Sequence, residues 1–498
     1  MQLITKIPDK ERLIVGQLHD FVENEKDYPI ALIAGMRHVG KSTVLKQMQK
    51  YYPTAPILDF SGDLDEAREN LAKFAGNPSS PVLLIDEITW LPGYENICQN
   101  LYNIAGGQSE WKFKAIITGS SPAHICSLAN NKLGGGRSVL FYLPVITFVE
   151  YLYFTGKIPS CRDYADAKPE HFKDYLQLRD LPAGMTLTFD ERYFVNYYDI
   201  NSHSNICSAS SRAQNDLQKE DLRNLANFLA YQLADSPAYD TVIRPKIAEE
   251  ELQNELLPSE IRALDFSGTF IAESSRAAKG LSFEDHARLI EFLLASRIAN
   301  VETTLLDAAA KPHSEFEVVQ MLRATNNRKN LQDFFKKVSI AIGNPLLYTR
   351  LGNDILAVVG MTMDDLWKNS DNNALLGKML EVYIRGAMAQ LENPLLAFSS
   401  MKLNYNGEVD IYKPNAHTSI LCEVTAKRRP KSLDKINLLN YFPDEPMIRI
   451  CCTESHKDDI YGFHRIPYAQ LCCMIDTGDI FKLQKSTIDD VNRPLSGG

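Results

Sequence analysis

Two groups of residues have the types and spacing to do phosphate chemistry. In AGMRHVGKST, Gly35, Gly40, Lys41 and Ser42 satisfy the pattern G-x-x-x-x-G-K-[ST]. Glycines there let the backbone wrap a polyphosphate, and the N–H groups of the helix start that follows supply an anion site. The run Gly35, Met36, Arg37, His38, Val39, Gly40, Lys41, Ser42 and Thr43 is therefore the expected ATP cradle. Lys41 would reach the β and γ phosphates, and Ser42 would ligate magnesium. Downstream, VLLIDE ends in Asp86 and Glu87. Asp86 would hold Mg2+ through water, and Glu87 would orient or deprotonate the attacking water. TGSS then offers Thr118, Ser120 or Ser121 as a polar sensor of the γ-phosphate, although a Gly-Ser turn after a strand is also just a turn. Arg137 follows three glycines. It is either a finger that stabilises phosphoryl charge in trans or a surface arginine pairing an acid.

The second group lies in GEVDIYKPNAHTSILCEVTAKRRPKS, which carries Glu408, Asp410, Glu423 and Lys427 on an apparent hairpin. Asp410 and Glu423 on neighbouring strands would be near enough to share a hard divalent ion, magnesium or manganese. Such an ion would lower the pKa of a bound water and neutralise charge on a scissile phosphate. A lysine beside it would steady the attacking oxygen.

The elements around the first group suit it. Residues 30–34, 82–85 and 113–118 are short continuous apolar runs, as buried parallel strands require. Val44, Leu45 and Met48 fall at helical spacing after the phosphate loop. Three β-α units imply an α/β fold: a parallel sheet with helices on both faces and nucleotide at the strands' C-terminal ends.

At 498 residues the chain is too long for one core, and 45% hydrophobic with 23% charged residues excludes a largely disordered protein. No apolar run approaches the roughly 20 residues that span a bilayer, and the N-terminus lacks a signal-peptide stretch. The nine cysteines show no C-x-x-C spacing, which suits reduced thiols and a cytoplasmic location. With a net charge of −10, any nucleic-acid partner must meet a local basic patch.

GMRHVGKST, LLIDEI, TGSS and the GGR…LP…F.EYL succession resemble prokaryotic AAA+-type ATPases of the archaeal-ATPase-like group. In that group a C-terminal domain of uncharacterised function has a PD-(D/E)XK nuclease-like fold. The resemblance spans nearly the whole chain and is specific mainly in residues 29–155 and 375–430. It gives Arg137 weight as a nucleotide-responsive arginine. It also likens ALLGKMLEVYIRGAMAQLE, with Gly377 and Glu381, to the helix whose acid leans over the nuclease metal, so Glu381 joins Asp410 and Glu423 as a candidate ligand. The nuclease pattern wants a lysine two residues after the glutamate, and Thr425 stands there. Lys427 shares the face but starts about 13 Å away at about 3.3 Å per residue. With Arg428, Arg429 and Lys431 it forms a basic patch able to hold a DNA backbone whether or not cleavage occurs.

The expected organisation is an ATPase core at 1–155, a helical lid or linker at 156–235, and a helical or winged-helix domain at 236–365. A restriction-endonuclease-like α/β domain follows at 366–484, with a flexible tail at 485–498. In the middle, RYFVNYYDI is either the family's tyrosine-containing segment or a plain amphipathic element, and residues 201–216 read as a loop. Short helices with a strand pair near 301–306 and 338–342 suit a winged helix, whose acidic helix around Glu284, Asp285 and Glu291 favours protein packing over DNA contact. The whole reads as an ATPase that couples nucleotide state to a domain that binds or cleaves nucleic acid, in a possible homo-oligomer. The alternative is a nucleotide-switch signalling or scaffold ATPase with an inert C-terminal domain.

Overall fold

In the computed structural model the described residues are 9–35, 39–106, 112–134 and 136–177. In the C-terminal half they are 299–305, 338–343, 373–389, 400–403, 410–413, 418–424, 446–453 and 463–486, with a few single positions between. Strand β1 (Ile30–Ala34), β3 (Val82–Asp86) and β4 (Lys114–Thr118) are buried along their whole length. Burial without alternation is what a parallel sheet covered on both faces demands. With β2 (Ile57–Asp59) and β5 (Ser138–Tyr142) they form one sheet in the order β2-β3-β4-β1-β5, and every pairing is parallel.

Helices α1 (Leu13–Asn24) and α2 (Lys41–Tyr51) cover one face, where Leu18, Val44, Leu45 and Met48 meet Ala31, Ile33, Leu84 and Ile116. Helices α3 (Leu64–Gly76), α4 (Tyr94–Ala105) and α5 (Pro122–Asn130) cover the other, packing on Leu32, Leu83, Ile85 and Ile117. The expected three-layer core is therefore present. Inserting β4 between β1 and β3 brings the ends of all three strands together at the edge that the phosphate loop leaves.

A second, mixed sheet is built from β6 (Ala299–Leu305), β7 (Val338–Ile342), β8 (Ser400–Leu403), β9 (Ile411–Lys413), β10 (Ile420–Val424), β11 (Ile448–Thr453) and β12 (His464–Pro467). Its order is β12-β11-β10-β9-β8-β6-β7. The expected hairpin forms, with Ile420 opposite Lys413 and Cys422 opposite Ile411. The single strand expected over residues 401–412 does not form: β8 and β9 are separate neighbours that pair antiparallel, with Met401 opposite Tyr412. The pair near 301–306 and 338–342 also forms, antiparallel. It does not belong to a separate winged helix, however. β6 pairs with β8 from Glu302↔Ser400 to Leu305↔Leu403, so the pair extends the C-terminal sheet across the expected boundary at residue 366. Pairing partners far apart in sequence decided this, and local periodicity does not see them. The expected tail also starts later, because Ser486 bridges Met447 and accepts from the buried Arg449. The expected RYFVNYYDI element, the loop at 201–216 and the acidic helix around Glu284, Asp285 and Glu291 lie outside the described residues.

Helices α6 (Phe148–Phe154) and α7 (Pro169–Leu176) join the two sheets by packing on α8 (Asn373–Met388) and α9 (Tyr468–Thr477). Phe148, Phe172, Tyr175 and Tyr383 pack edge-on there with ring centroids 5.3–5.6 Å apart. Such pairs add about 0.5–1.5 kcal/mol each beyond area burial. Among the described residues, no helix is long and apolar enough to cross a membrane.

Candidate functional site

The phosphate loop leaves β1 at Gly35 and enters α2 at Gly40. At Gly35 an added Cβ would lie 2.6 Å from the Leu143 carbonyl oxygen, so only glycine permits that approach. Gly40 caps α2 with φ 99°, a left-handed conformation that L side chains rarely adopt. Lys41 is buried, and its Nζ donates to the Gly35 carbonyl at 2.9 Å, arching over the loop. Ser42 is exposed on the first turn of α2 and Thr43 is half-buried. Met36, Arg37 and His38 lie outside the described residues.

Beside the loop, Asp86 is buried at the end of β3 and accepts a hydrogen bond from the Thr118 hydroxyl at the end of β4. Thr118 is thereby committed to orienting Asp86. Ser121 caps α5 by accepting from the His124 amide at 3.4 Å. Ser120, in the same turn, is buried. Glu87 has φ 56° and ψ 36°, a left-handed backbone unusual for a non-glycine residue. A strained conformation of this kind costs about 1–3 kcal/mol and clusters at functional sites. The turn after it packs directly on Gly119, where a Cβ would come within 2.7 Å of Thr89 Cγ2.

Two residues packed around these elements had no local signal in the sequence. His124 is buried in a stack on Tyr94, and burial pushes it down to about 4, leaving it neutral at physiological pH. Arg12 donates to the Val39 carbonyl inside the loop at 2.6 Å, although 27 residues separate them.

Arg137 does not sit at its own chain's site. It immediately precedes β5, whose Ser138 pairs with Ile30, whereas the loop leaves β1 beside Tyr142. The five-residue strand puts roughly 16 Å between them. There Arg137 donates to the Lys132 carbonyl at 3.2 Å and lies over the Tyr102 ring. Any contact with a γ-phosphate would have to be with another copy's.

At the C-terminal site, Asp410 Oδ2 accepts from the Val424 amide at 2.7 Å, which places it against β10 beside Glu423. Burial pushes the Glu423 carboxyl up to about 8, and the charges of Asp410 and Glu381 add to it. The three acids are thus electrostatic neighbours. Glu381 also forms an ion pair with Arg385 one turn along α8. Among the described residues no group of three or more His, Cys, Asp or Glu is arranged to hold a metal ion. Glu408, Thr425 and Lys427 lie outside the described residues.

Residues 27–152 match a family model described as an AAA domain. This segment is an AAA-type P-loop ATPase domain. The match covers the first sheet and its helices from α2 into α6; α1 precedes it and the C-terminal sheet lies beyond it. No curated protein matches the sequence. Among solved structures, a DNA replication initiation factor is similar at 13% identity and TM-score 0.22, over 55% of this chain and 95% of that one. AMPPCP-bound DnaA from Aquifex aeolicus is similar at 16% identity and TM-score 0.25, over 59% and 88%. Cdc6p from Pyrobaculum aerophilum is similar at 12% identity and TM-score 0.22, over 72% and 97%. Superpositions this loose carry no functional weight.

Magnesium fits the ATPase domain's donor set. The exposed Ser42 hydroxyl and the Asp86 carboxylate beside the loop are hard oxygen ligands of the kind that ion takes.

Proposed function

We propose that the chain is an ATPase whose nucleotide state acts on a C-terminal, nuclease-like domain that binds or cleaves nucleic acid. The observation that carries the ATPase half is the Thr118–Asp86 hydrogen bond beside a loop already closed by Lys41. It holds Asp86 at the end of β3, beside the loop expected to take the phosphates. Loop amides at the start of α2 bind phosphate oxygens, and Lys41 exchanges the Gly35 carbonyl for them. Glu87 takes the proton of the attacking water. Magnesium held by Ser42 and, through water, Asp86 neutralises phosphate charge when bound.

Asp410 and Glu423 lie side by side and support the nuclease-like half, but the expected third ligand, Glu381, pairs with Arg385 and does not complete a metal-holding group with them. One observation favours the alternative, a switch or scaffold with an inert C-terminal unit. With burial pushing Glu423 up to about 8, that carboxyl is largely neutral at neutral pH, and the pair lacks one of its two charges.

Phosphate release with ATP and magnesium tests the first half. Lys41→Ala should lose nucleotide binding, and Glu87→Gln should bind but not turn over; turnover retained in Glu87→Gln removes that residue's role. A nicking assay on duplex, single-stranded and branched DNA with magnesium or manganese, against Asp410→Ala, tests the second. No cleavage by wild type leaves the inert reading.

A further inference from the structure

Arg12 lies just before α1, outside the phosphate loop, yet its guanidinium makes three contacts, two of them buried. Its Nη1 donates to the Val39 carbonyl at 2.6 Å, its Nη2 to the Pro144 carbonyl at 2.9 Å, and its Nε to Glu150 Oε1 at 2.8 Å. The two charged side chains are 9% and 1% exposed. The peptide plane gives the Val39 contact its consequence. In a trans peptide C=O and N–H point opposite ways, so holding the Val39 carbonyl toward Arg12 turns the Gly40 N–H the other way, into the loop. Pro144 follows Leu143, whose carbonyl abuts Gly35 and whose amide donates to Ala34 at 2.8 Å. One guanidinium therefore clamps both ends of the loop. Gln47 of α2 stitches the same segment down, accepting from the Arg12 amide at 3.4 Å and donating to the Lys10 carbonyl at 3.1 Å.

The other end of the clamp is held by the C-terminal half. Glu150 sits in the first turn of α6 and also accepts from the Leu13 and Thr147 amides. Two further amides of that turn are capped from the other sheet's helices. Phe148 N–H donates to the Tyr383 hydroxyl of α8 at 2.7 Å, and Val149 N–H donates to Asp476 Oδ2 of α9 at 3.0 Å. The Tyr383 hydroxyl in turn donates to Asp476 at 2.8 Å.

We propose that Arg12 is a positioning residue for the phosphate loop, and that Glu150, Tyr383 and Asp476 make it the coupling element between nucleotide binding and the C-terminal sheet. A shift of α8 or α9 would move the first turn of α6, carry Glu150 with it and release the Val39 carbonyl. Linkage makes the effect reciprocal: bound nucleotide, by fixing the loop, fixes the α6 turn against α8 and α9. The inference rests on the nucleotide-site reading above.

The test is titration of a fluorescent ATP analogue into the full chain, with melting temperatures measured alongside. Arg12→Lys keeps a cation for Glu150 but cannot span three partners, and should weaken binding about tenfold. Tyr383→Phe removes one oxygen far from the nucleotide and should weaken it about fivefold, within the usual span of coupling. The double variant should bind no worse than Arg12→Lys, because both changes break one chain of contacts. If Tyr383→Phe does not fold, Asp476→Asn takes its place. Wild-type affinity in Tyr383→Phe with only a lowered melting temperature overturns the coupling, as does a double variant in which the two losses multiply. An analogue that fails to bind wild type sinks the nucleotide reading itself, and the coupling with it.

Discussion

Asp476 gives the most quantitative forecast. It is half-buried between α9, α6 and α8, and burial pushes its carboxyl from 3.8 up to about 7, against the opposing hydrogen bonds from Val149 and Tyr383. The folded state thus keeps a proton that the unfolded chain releases near pH 4. Stability from this group is fully present below the unfolded pKa and is lost as pH rises through the folded one. Over about 3 pH units at about 1.36 kcal/mol each, the loss is on the order of 4 kcal/mol, complete above about pH 7. Asp476→Asn cannot ionise, but its amide faces a donor and forfeits one hydrogen bond, about 1 kcal/mol. The variant should therefore be less stable than wild type by about 1 kcal/mol near pH 4, and more stable by roughly 3 kcal/mol at pH 7.5. Urea titrations at both pH values, followed by near-ultraviolet circular dichroism, measure the difference, and subtracting variant from wild type cancels the other titrating groups. A difference that does not change sign between the two pH values refutes the assignment of a proton-retaining Asp476.

Three further outcomes follow from the nucleotide site. Gly35→Ala forces a Cβ against the Leu143 carbonyl and should cost about 1–3 kcal/mol in thermal unfolding while also weakening ATP binding; a wild-type melting temperature would contradict the close approach. Thr118→Val leaves Asp86 buried without its hydroxyl partner and should lower turnover about tenfold with binding less affected, read from kcat and KM; a pure KM effect would argue against Thr118 orienting Asp86. Because Arg137 sits at the far end of β5, Arg137→Ala and Lys41→Ala should each be inactive alone, and an equal mixture should regain phosphate release if the arginine serves a neighbouring copy. Full activity in Arg137→Ala alone would make it a surface residue.

Much of the ATPase domain was legible without coordinates because its signals are local. A phosphate loop needs its glycines, lysine and serine contiguous, and a strand buried on both faces needs an unbroken apolar run, so residues 30–43 and 82–87 announce themselves. The hairpin carrying Asp410 and Glu423 was legible for the same reason, through alternation and a turn. Tertiary structure decided everything that depends on partners distant in the chain. β6 and β7 read as a self-contained pair, and only their pairing with β8 assigns them to the C-terminal sheet. Arg137 looked like a finger from its glycines, but the parallel register of β5 with β1 sets it at the opposite end from its own loop. Arg12 carries no motif at all. Its role arises because Val39, Pro144 and Glu150, up to 138 residues away, converge on one buried guanidinium, and burial with satisfied hydrogen bonds is a property of three-dimensional neighbours that no sequence window contains.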